Sequence, residues 1–368
     1  MEIAAIFQAI EETKLLERLL SQDKLFFVGE AEPLNYIKDF CGSLKANDSN
    51  YYYDSAAQLS ELKNMAPELE QYQAIIVVSL ADEINLSLTI KTELESLVKI
   101  PILRLFTDIF INLLCQQPLL QPLNPEIQTP STSYAILTTP RSGSTYLCEL
   151  LYSTKIAGHP KEHLRLAAQE LARYCNFNYV TLLQHLMSYQ TSSNGVFGTK
   201  IISHFLFEFK QTKPDFQQVF KSIDKFILLV RRDKLAQAVS LELAQKTAVW
   251  HLHHSQKRVK DSDYQSKLDS IEIDHALLNE VEKKYNFIIK QEGRLKQLLA
   301  NNQIDPLVVV YEDILENAEQ QIKNILDFLA IARPEAEQMQ IKSGIKRMPS
   351  RISQEIMQQY QLKKAPSA

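Results

Sequence analysis

Three groups of side chains in this sequence could act on an anionic group. The first is Arg141-Ser142-Gly143-Ser144-Thr145, set between a β-branched run, Tyr134 to Thr139, and the apolar spacing of Tyr146, Leu147, Leu150 and Leu151. That pattern predicts strand, tight loop and helix. Such a loop aims several backbone N–H groups and the positive end of a helix dipole at one spot, where a phosphate can sit. Ser142, Ser144 and Thr145 add hydroxyl donors, Gly143 lets the backbone approach closely, and Arg141 adds a permanent charge with forked geometry. The loop is not a Walker A loop, because GxxxxGK[ST] is absent and no lysine follows Gly143. Taken alone, a serine-rich turn before a helix is more often only a turn.

The second group is Arg231 and Arg232, at the end of the apolar run KFILLV, with Ser240 about two turns along the following helical stretch. A guanidinium and a hydroxyl at one strand–helix corner can hold a second phosphate, separate from the first. The plainer alternative is an ion pair with Asp233 or a carboxylate at the sheet edge. The third is Glu162, in GHPKEHL. A partly buried carboxylate there could take the proton of an attacking hydroxyl, with His163 as the competing base. Either residue by itself is more often structural or solvated. His251, His253 and His254 follow Trp250, but no cysteine or carboxylate pattern joins them and they point different ways from one helix end, so no metal site is expected.

The elements that must position these groups alternate between strand and helix. An amphipathic helix is predicted over residues 1 to about 20, then strands at Lys24 to Gly29, Tyr51 to Tyr53 and Ala74 to Leu80, with helices at Leu34 to Leu44 and near Ser87 to Leu97, and an apolar segment from Ile102. This predicts a small α/β module over residues 1–115. At Gly29-Glu30-Ala31-Glu32, where a dinucleotide loop needs repeated glycines, two carboxylates would repel a pyrophosphate, so docking, oligomerisation or regulation is favoured over nucleotide binding. Pro118, Pro122, Pro125 and Pro130 mark a linker over 116–133. Residues 134–368 then repeat the alternation. Helical stretches are expected near Glu162 to Tyr174, Lys234 to Trp250, Ile271 to Asn301 and Ile322 to Leu329, and strands at Gly195 to Ser203, Lys225 to Arg232 and Pro306 to Tyr311. The expected fold is α/β: a parallel sheet flanked by helices, with a P-loop-like anion loop, and ligand groups at strand carboxyl ends.

Composition narrows the partners. A net charge of −4 gives no support to nucleic-acid binding. The acidic, interrupted N-terminus is unlike a signal peptide, and the run Ile100 to Cys115 is broken by Arg104 and Asp108 and too short to span a bilayer. Four cysteines without paired spacing argue against a zinc site or a disulfide framework. A cytoplasmic protein with a small-molecule partner is expected, and the oligomeric state, a homo-oligomer included, is left open.

Taken together and in order, RSGST at 141–145, AGHPKEHL at 157–164, NGVFGTK at 194–200, RRDKLAQAVSLELAQKTAVWH at 231–251 and VVYEDI at 309–314 resemble the bacterial sulfotransferase family that includes trehalose 2-sulfotransferase. The resemblance runs from Tyr134 to about Tyr360. It implies a sulfotransferase that uses 3′-phosphoadenosine-5′-phosphosulfate (PAPS) as co-substrate, without a metal. It further implies that Arg141, Ser142, Gly143, Ser144 and Thr145 hold the 5′-phosphosulfate, with Arg141 bearing charge in the transfer. Arg231 and Ser240 then hold the 3′-phosphate, and Glu162 is the general base. The acceptor implied is a hydroxyl of a carbohydrate or glycolipid. His159 before the proline and His163-Leu164 after the glutamate depart from the trehalose enzyme where it faces its acceptor, so the resemblance does not extend to trehalose itself. Two other readings are a P-loop-like kinase, against which the missing Walker lysine counts, and a non-catalytic binding or scaffold protein with a degenerate donor site.

Overall fold

Short Val-, Ile- and Leu-rich runs have too few residues to bury an amphipathic helix face and instead pair as strands flanked by helices on both sides. The computed structural model describes residues 7, 11, 13–22, 24–43, 51–54, 61–114, 117–123, 129–163, 179–207, 221–250, 261–332, 341–345 and 351–364. Among these, the strands are β1 Leu25–Gly29, β2 Tyr51–Asp54, β3 Ala74–Val78, β4 Ile102–Arg104, β5 Thr132–Thr138, β6 Val196–Ile202, β7 Lys225–Val230 and β8 Leu307–Val310. They form two four-stranded sheets, ordered β2-β1-β3-β4 and β6-β5-β7-β8. All pairings are parallel.

Contacts group the described residues into two units. The first takes in those up to Thr129 and those of 163–190; the second takes in 130–162, 191–207 and those from 221 onward. In the first unit α1 is Leu15–Leu20, α2 Ala31–Ser43 and α3 Glu83–Leu94. The single helix expected over the first twenty residues is interrupted, since Lys14 takes a left-handed φ of 59° immediately before α1. The apolar segment from Ile102 becomes β4 and then a π-helical turn, Leu105–Ile109.

The second unit carries α4 Ser144–Ser153, and the first also holds α5 Tyr179–Gln190. In the second follow α6 Lys234–Thr247, α7 His275–Asn301, α8 Tyr311–Glu316, α9 Ala318–Phe328 and α10 Arg351–Lys364. One face of its sheet, with Tyr134, Ile136 and Ile227, packs against Leu147, Leu150 and Leu151 of α4 and Ile322, Ile325 and Leu326 of α9. Each such fully buried aliphatic side chain stabilises the fold by about 1.5–3 kcal/mol. A second core joins α6, α7 and α10 through Val239, Leu243, Leu277, Val281 and Ile356.

Two further expectations change. Thr132 and Ser133, expected to close the linker, already belong to β5. Glu162 does not open a helix: Lys161 forms a parallel bridge with Thr199 at the free edge of β6, and backbone pairing takes precedence over the helical periodicity read there. Residues 164–174, the remainder of that expected helix, lie outside the described residues, as do His251, His253 and His254.

Candidate functional site

Among the described residues, four helices begin with a side chain that accepts from one of their first N–H groups. Asp82 caps α3, Asp233 caps α6, Asp274 caps α7 and Asn317 caps α9, each by accepting from the N–H three residues on. Helix α4 has no such cap. Its N-cap residue is Gly143, at φ 86° with no side-chain hydrogen bond, so the donors and dipole at its start face outward from the carboxyl end of β5. Arg141, two residues earlier, is also left-handed at φ 60°. A Cβ on Gly143 would lie 2.1 Å from the Tyr311 ring, so both the backbone angle and the ring require glycine.

The loop is held from below. Thr138 Oγ1 donates to Leu229 O at 2.9 Å and lies 2.5 Å from Ser142 Oγ. Ser142 is therefore fully buried with its hydroxyl turned inward, and only its backbone can face a ligand. Gln237 of α6 donates from Nε2 to Thr139 Oγ1 at 2.8 Å and to Pro140 O at 2.6 Å, fixing the loop's other side.

The two corners read separately in the sequence meet at Arg141. Its Nε donates to Ser240 Oγ at 3.1 Å and its Nη1 to the Trp250 carbonyl, while Arg231 Nη1 donates to Arg141 O at 3.3 Å. The Arg141 guanidinium thus lies on the Ser240 side. Burial pushes it down from its usual range and the nearby Arg231 adds to that, against the pull of Tyr264 and Tyr311. Arg231 also stands 5.2 Å from the Tyr311 ring centroid, a cation–π contact. Arg232 is the arginine with the plainer role: it pairs with Asp313 at 2.7 Å, well exposed.

On the other side of the loop stands Glu162. Because Lys161 is in register with Thr199, Glu162 comes beside Lys200, and the two side chains share a face. Glu162 Oε1 is 2.7 Å from Lys200 Nζ, and the same ammonium donates to Thr145 Oγ1 at 3.2 Å. Cys148, one turn along α4, lies near both; burial pushes its thiol up to about 11, so it stays protonated. His159 stacks on Tyr152 at 3.8 Å, and burial, then Lys161, push it down to about 4, which keeps it neutral at ordinary pH. His163, the alternative base, is buried and groups with the first unit.

Of the residues singled out from sequence, Arg141, Arg231 and Ser240 converge, Ser144 and Thr145 begin α4, and Glu162 joins Thr145 through Lys200. Lys200, Tyr311 and Gln237 join the site although their residue types and spacing alone do not point to it. Lys200 left a signal, since it is the one charged residue in the otherwise apolar and small run GVFGTKII.

Among the described residues no group of three or more His, Cys, Asp or Glu could hold a metal ion, and no described helix is long and apolar enough to cross a membrane. Residues 133–363 match the Stf0 sulphotransferase family. The trehalose 2-sulfotransferase of Mycobacterium tuberculosis is 26% identical to this chain over 53% of it and 82% of that protein. Among solved structures, a sulfotransferase domain from the curacin biosynthetic pathway aligns over 56% of this chain and 77% of its own, at 15% identity and a TM-score of 0.31.

Proposed function

The chain belongs to the Stf0 sulphotransferase family, and from that premise we propose that it moves a sulfuryl group from 3′-phosphoadenosine-5′-phosphosulfate to a hydroxyl of a carbohydrate or glycolipid. The observation that carries the reading is the uncapped start of α4, flanked by Arg141, Arg231 and Ser240 on one side and by the Glu162–Lys200–Thr145 group on the other. A donor with two separated anionic ends suits that arrangement. The relative named for trehalose supports a carbohydrate as acceptor.

In this reading the N–H groups of 141–145 and the Thr145 hydroxyl bind the 5′-phosphosulfate, and Arg231 and Ser240 bind the 3′-phosphate. The Arg141 guanidinium, on the Ser240 side, adds charge at the 3′-phosphate while its backbone belongs to the loop, and an anion set beside Arg141 and Arg231 relieves their mutual repulsion. The donor supplies the activated sulfuryl group. Glu162 accepts the proton of the attacking hydroxyl. The loop's fixed dipoles are aligned before reaction, so charge growing on the leaving phosphate costs little reorganisation.

The test is incubation with donor radiolabelled in the sulfuryl group and a panel of sugar and glycolipid acceptors. Label carried onto a carbohydrate or glycolipid is the expected result. Failure to transfer label, together with no donor binding at micromolar concentration, would sink the reading.

A further inference from the structure

Lys200 stands where a strand buried on both faces ordinarily carries an apolar residue. Its neighbours Phe197, Thr199 and Ile201 are at most 1% exposed, and Lys200 itself is 5% exposed. Burying an ammonium costs several kcal/mol unless it is paired, and an apolar residue of similar volume is often as stable or more so. The charge is therefore poorly explained by stability alone. Its placement is specific: Glu162 Oε1 at 2.7 Å on one side and the Thr145 hydroxyl at 3.2 Å on the other.

We propose that Lys200 is a positioning residue that ties the base Glu162 to the phosphosulfate loop and transfers its attraction from the carboxylate to the departing group as the reaction proceeds. The inference rests on the sulfuryl-transfer reading above. Because Lys200 donates to Thr145 Oγ1, the Thr145 proton is directed elsewhere, and the hydroxyl keeps one orientation. Because Lys200 is itself anchored, its backbone N–H donating to Lys161 O at 2.8 Å, Glu162 and Lys200 are placed by the same backbone pairing.

An ammonium beside a carboxylate favours the charged form, which weakens a base in the resting enzyme. The transfer removes that penalty. The acceptor oxygen forms a bond to sulfur, and the bond from sulfur to the bridging phosphate oxygen breaks with its electron pair on the phosphate. The acceptor's proton goes to Glu162, and Lys200 keeps its three protons. Glu162 becomes neutral as negative charge grows on the leaving oxygen, so the one cation serves the carboxylate before transfer and the phosphate during it. Of the titratable groups facing Lys200, Glu162 comes from the segment alongside β6 and Cys148 from α4, whose thiol burial holds protonated up to about 11.

The experiment compares wild type with Lys200→Met, Lys200→Gln and Lys200→Arg by pH–rate profile and by the affinity for 3′,5′-adenosine bisphosphate. In K200M, kcat is expected to fall about 100- to 1,000-fold with the bisphosphate affinity within about threefold, and the acid limb of kcat/KM to move to higher pH. K200R returns the acid limb to its wild-type place. K200Q, which keeps a hydrogen-bond donor for Thr145, stands in for K200M should that variant not fold. A neutral variant whose profile superimposes on the wild type after scaling overturns the proposal, as does an acid limb in K200R that moves as far as in the neutral variants. The Glu162 side-chain carboxyl, titrated by 13C NMR in wild type and K200Q, reads the same coupling without turnover. At least about a tenfold rise in its proton affinity is expected in K200Q. No change overturns the role of Lys200 even where label transfer is seen. A wild type without label transfer whose Glu162 responds in this way removes the transfer reading but retains the coupling.

Discussion

The two sheets of this chain share one strand order and differ in the residues at the end of their first strand. In both, the first strand lies between the second and the third, with the fourth outside the third. After β1 stands Glu30, whose carboxylate accepts from Ser79 Oγ at 2.6 Å and from the N–H groups of Leu80 at 3.1 Å and Ala81 at 3.4 Å. The donors at that strand end are thus satisfied by the chain's own carboxylate. After β5 stands a loop with Arg141 and Gly143 left-handed and an uncapped helix start, and Arg231 follows β7 where Ser79 follows β3. One topology holds a self-satisfied corner and, in the reading proposed above, an anion-accepting corner. Function comes from the residues at the strand ends, not from the sheet.

Substitutions at corresponding places separate the two corners. The largest effect is expected at Glu162: Glu162→Ala should lower kcat about 1,000-fold or more while donor-product affinity stays within about threefold, and Glu30→Gln should leave turnover unchanged. Equal loss of binding and turnover in Glu162→Ala would show that the roles are wrongly assigned. Arg231→Ala comes next, weakening 3′,5′-adenosine bisphosphate by about 10- to 100-fold through the lost charge-assisted contacts, as read by calorimetry. An affinity in that variant equal to wild type would remove Arg231 from the anion corner.

A smaller change is expected from Gly143→Ala. The added methyl must displace the Tyr311 ring, 2.1 Å away, and the residue must hold a left-handed backbone. We expect about 1–3 kcal/mol of lost stability in chemical denaturation and about tenfold weaker bisphosphate binding. Wild-type affinity in a folded Gly143→Ala protein would show that loop geometry matters less than charge.

The effect farthest from turnover belongs to the first unit and is read by pH. Burial pushes Glu83 up to about 8, against the N–H of Phe106, the Thr107 hydroxyl and Arg104, which pull it down. The unfolded chain ionises this carboxyl in the ordinary range while the folded chain keeps it protonated. Its contribution is therefore fully present below the ordinary range and is lost as pH rises toward about 8, at about 1.4 kcal/mol per pH unit. Glu83→Gln should flatten that slope, measured by hydrogen exchange of the β3 and β4 amides across the interval. An unchanged slope would exclude Glu83 as its source.

Much of the fold was legible in the sequence, because strands and strand–loop–helix turns write themselves locally. KFILLVRR, PLVVVY and AIIVVSL are short apolar runs bounded by polar residues, and each forms its strand close to the expected limits. The loop between β5 and α4 was legible for the same reason: β-branched run, turn and helix lie within one stretch. The features that could not be read locally depend on partners distant in sequence. Glu162 is placed by an edge bridge to Thr199, and Ser142 turns inward because Thr138 and Leu229 lie beneath it. That Arg141 reaches Ser240 and Trp250, joining the two corners, depends on how β5 and α6 pack, which no spacing along the chain encodes.

In the proposed reading the corner after β5 binds a donor with two anionic ends and the corner after β1 does not. Calorimetric titration of the wild type, Arg231→Ala and Glu30→Ala with 3′,5′-adenosine bisphosphate tests it most directly. Micromolar binding is expected in the wild type, its loss or strong weakening in Arg231→Ala, and no change in Glu30→Ala. Absence of heat in the wild type, or binding lost in Glu30→Ala and kept in Arg231→Ala, would contradict it.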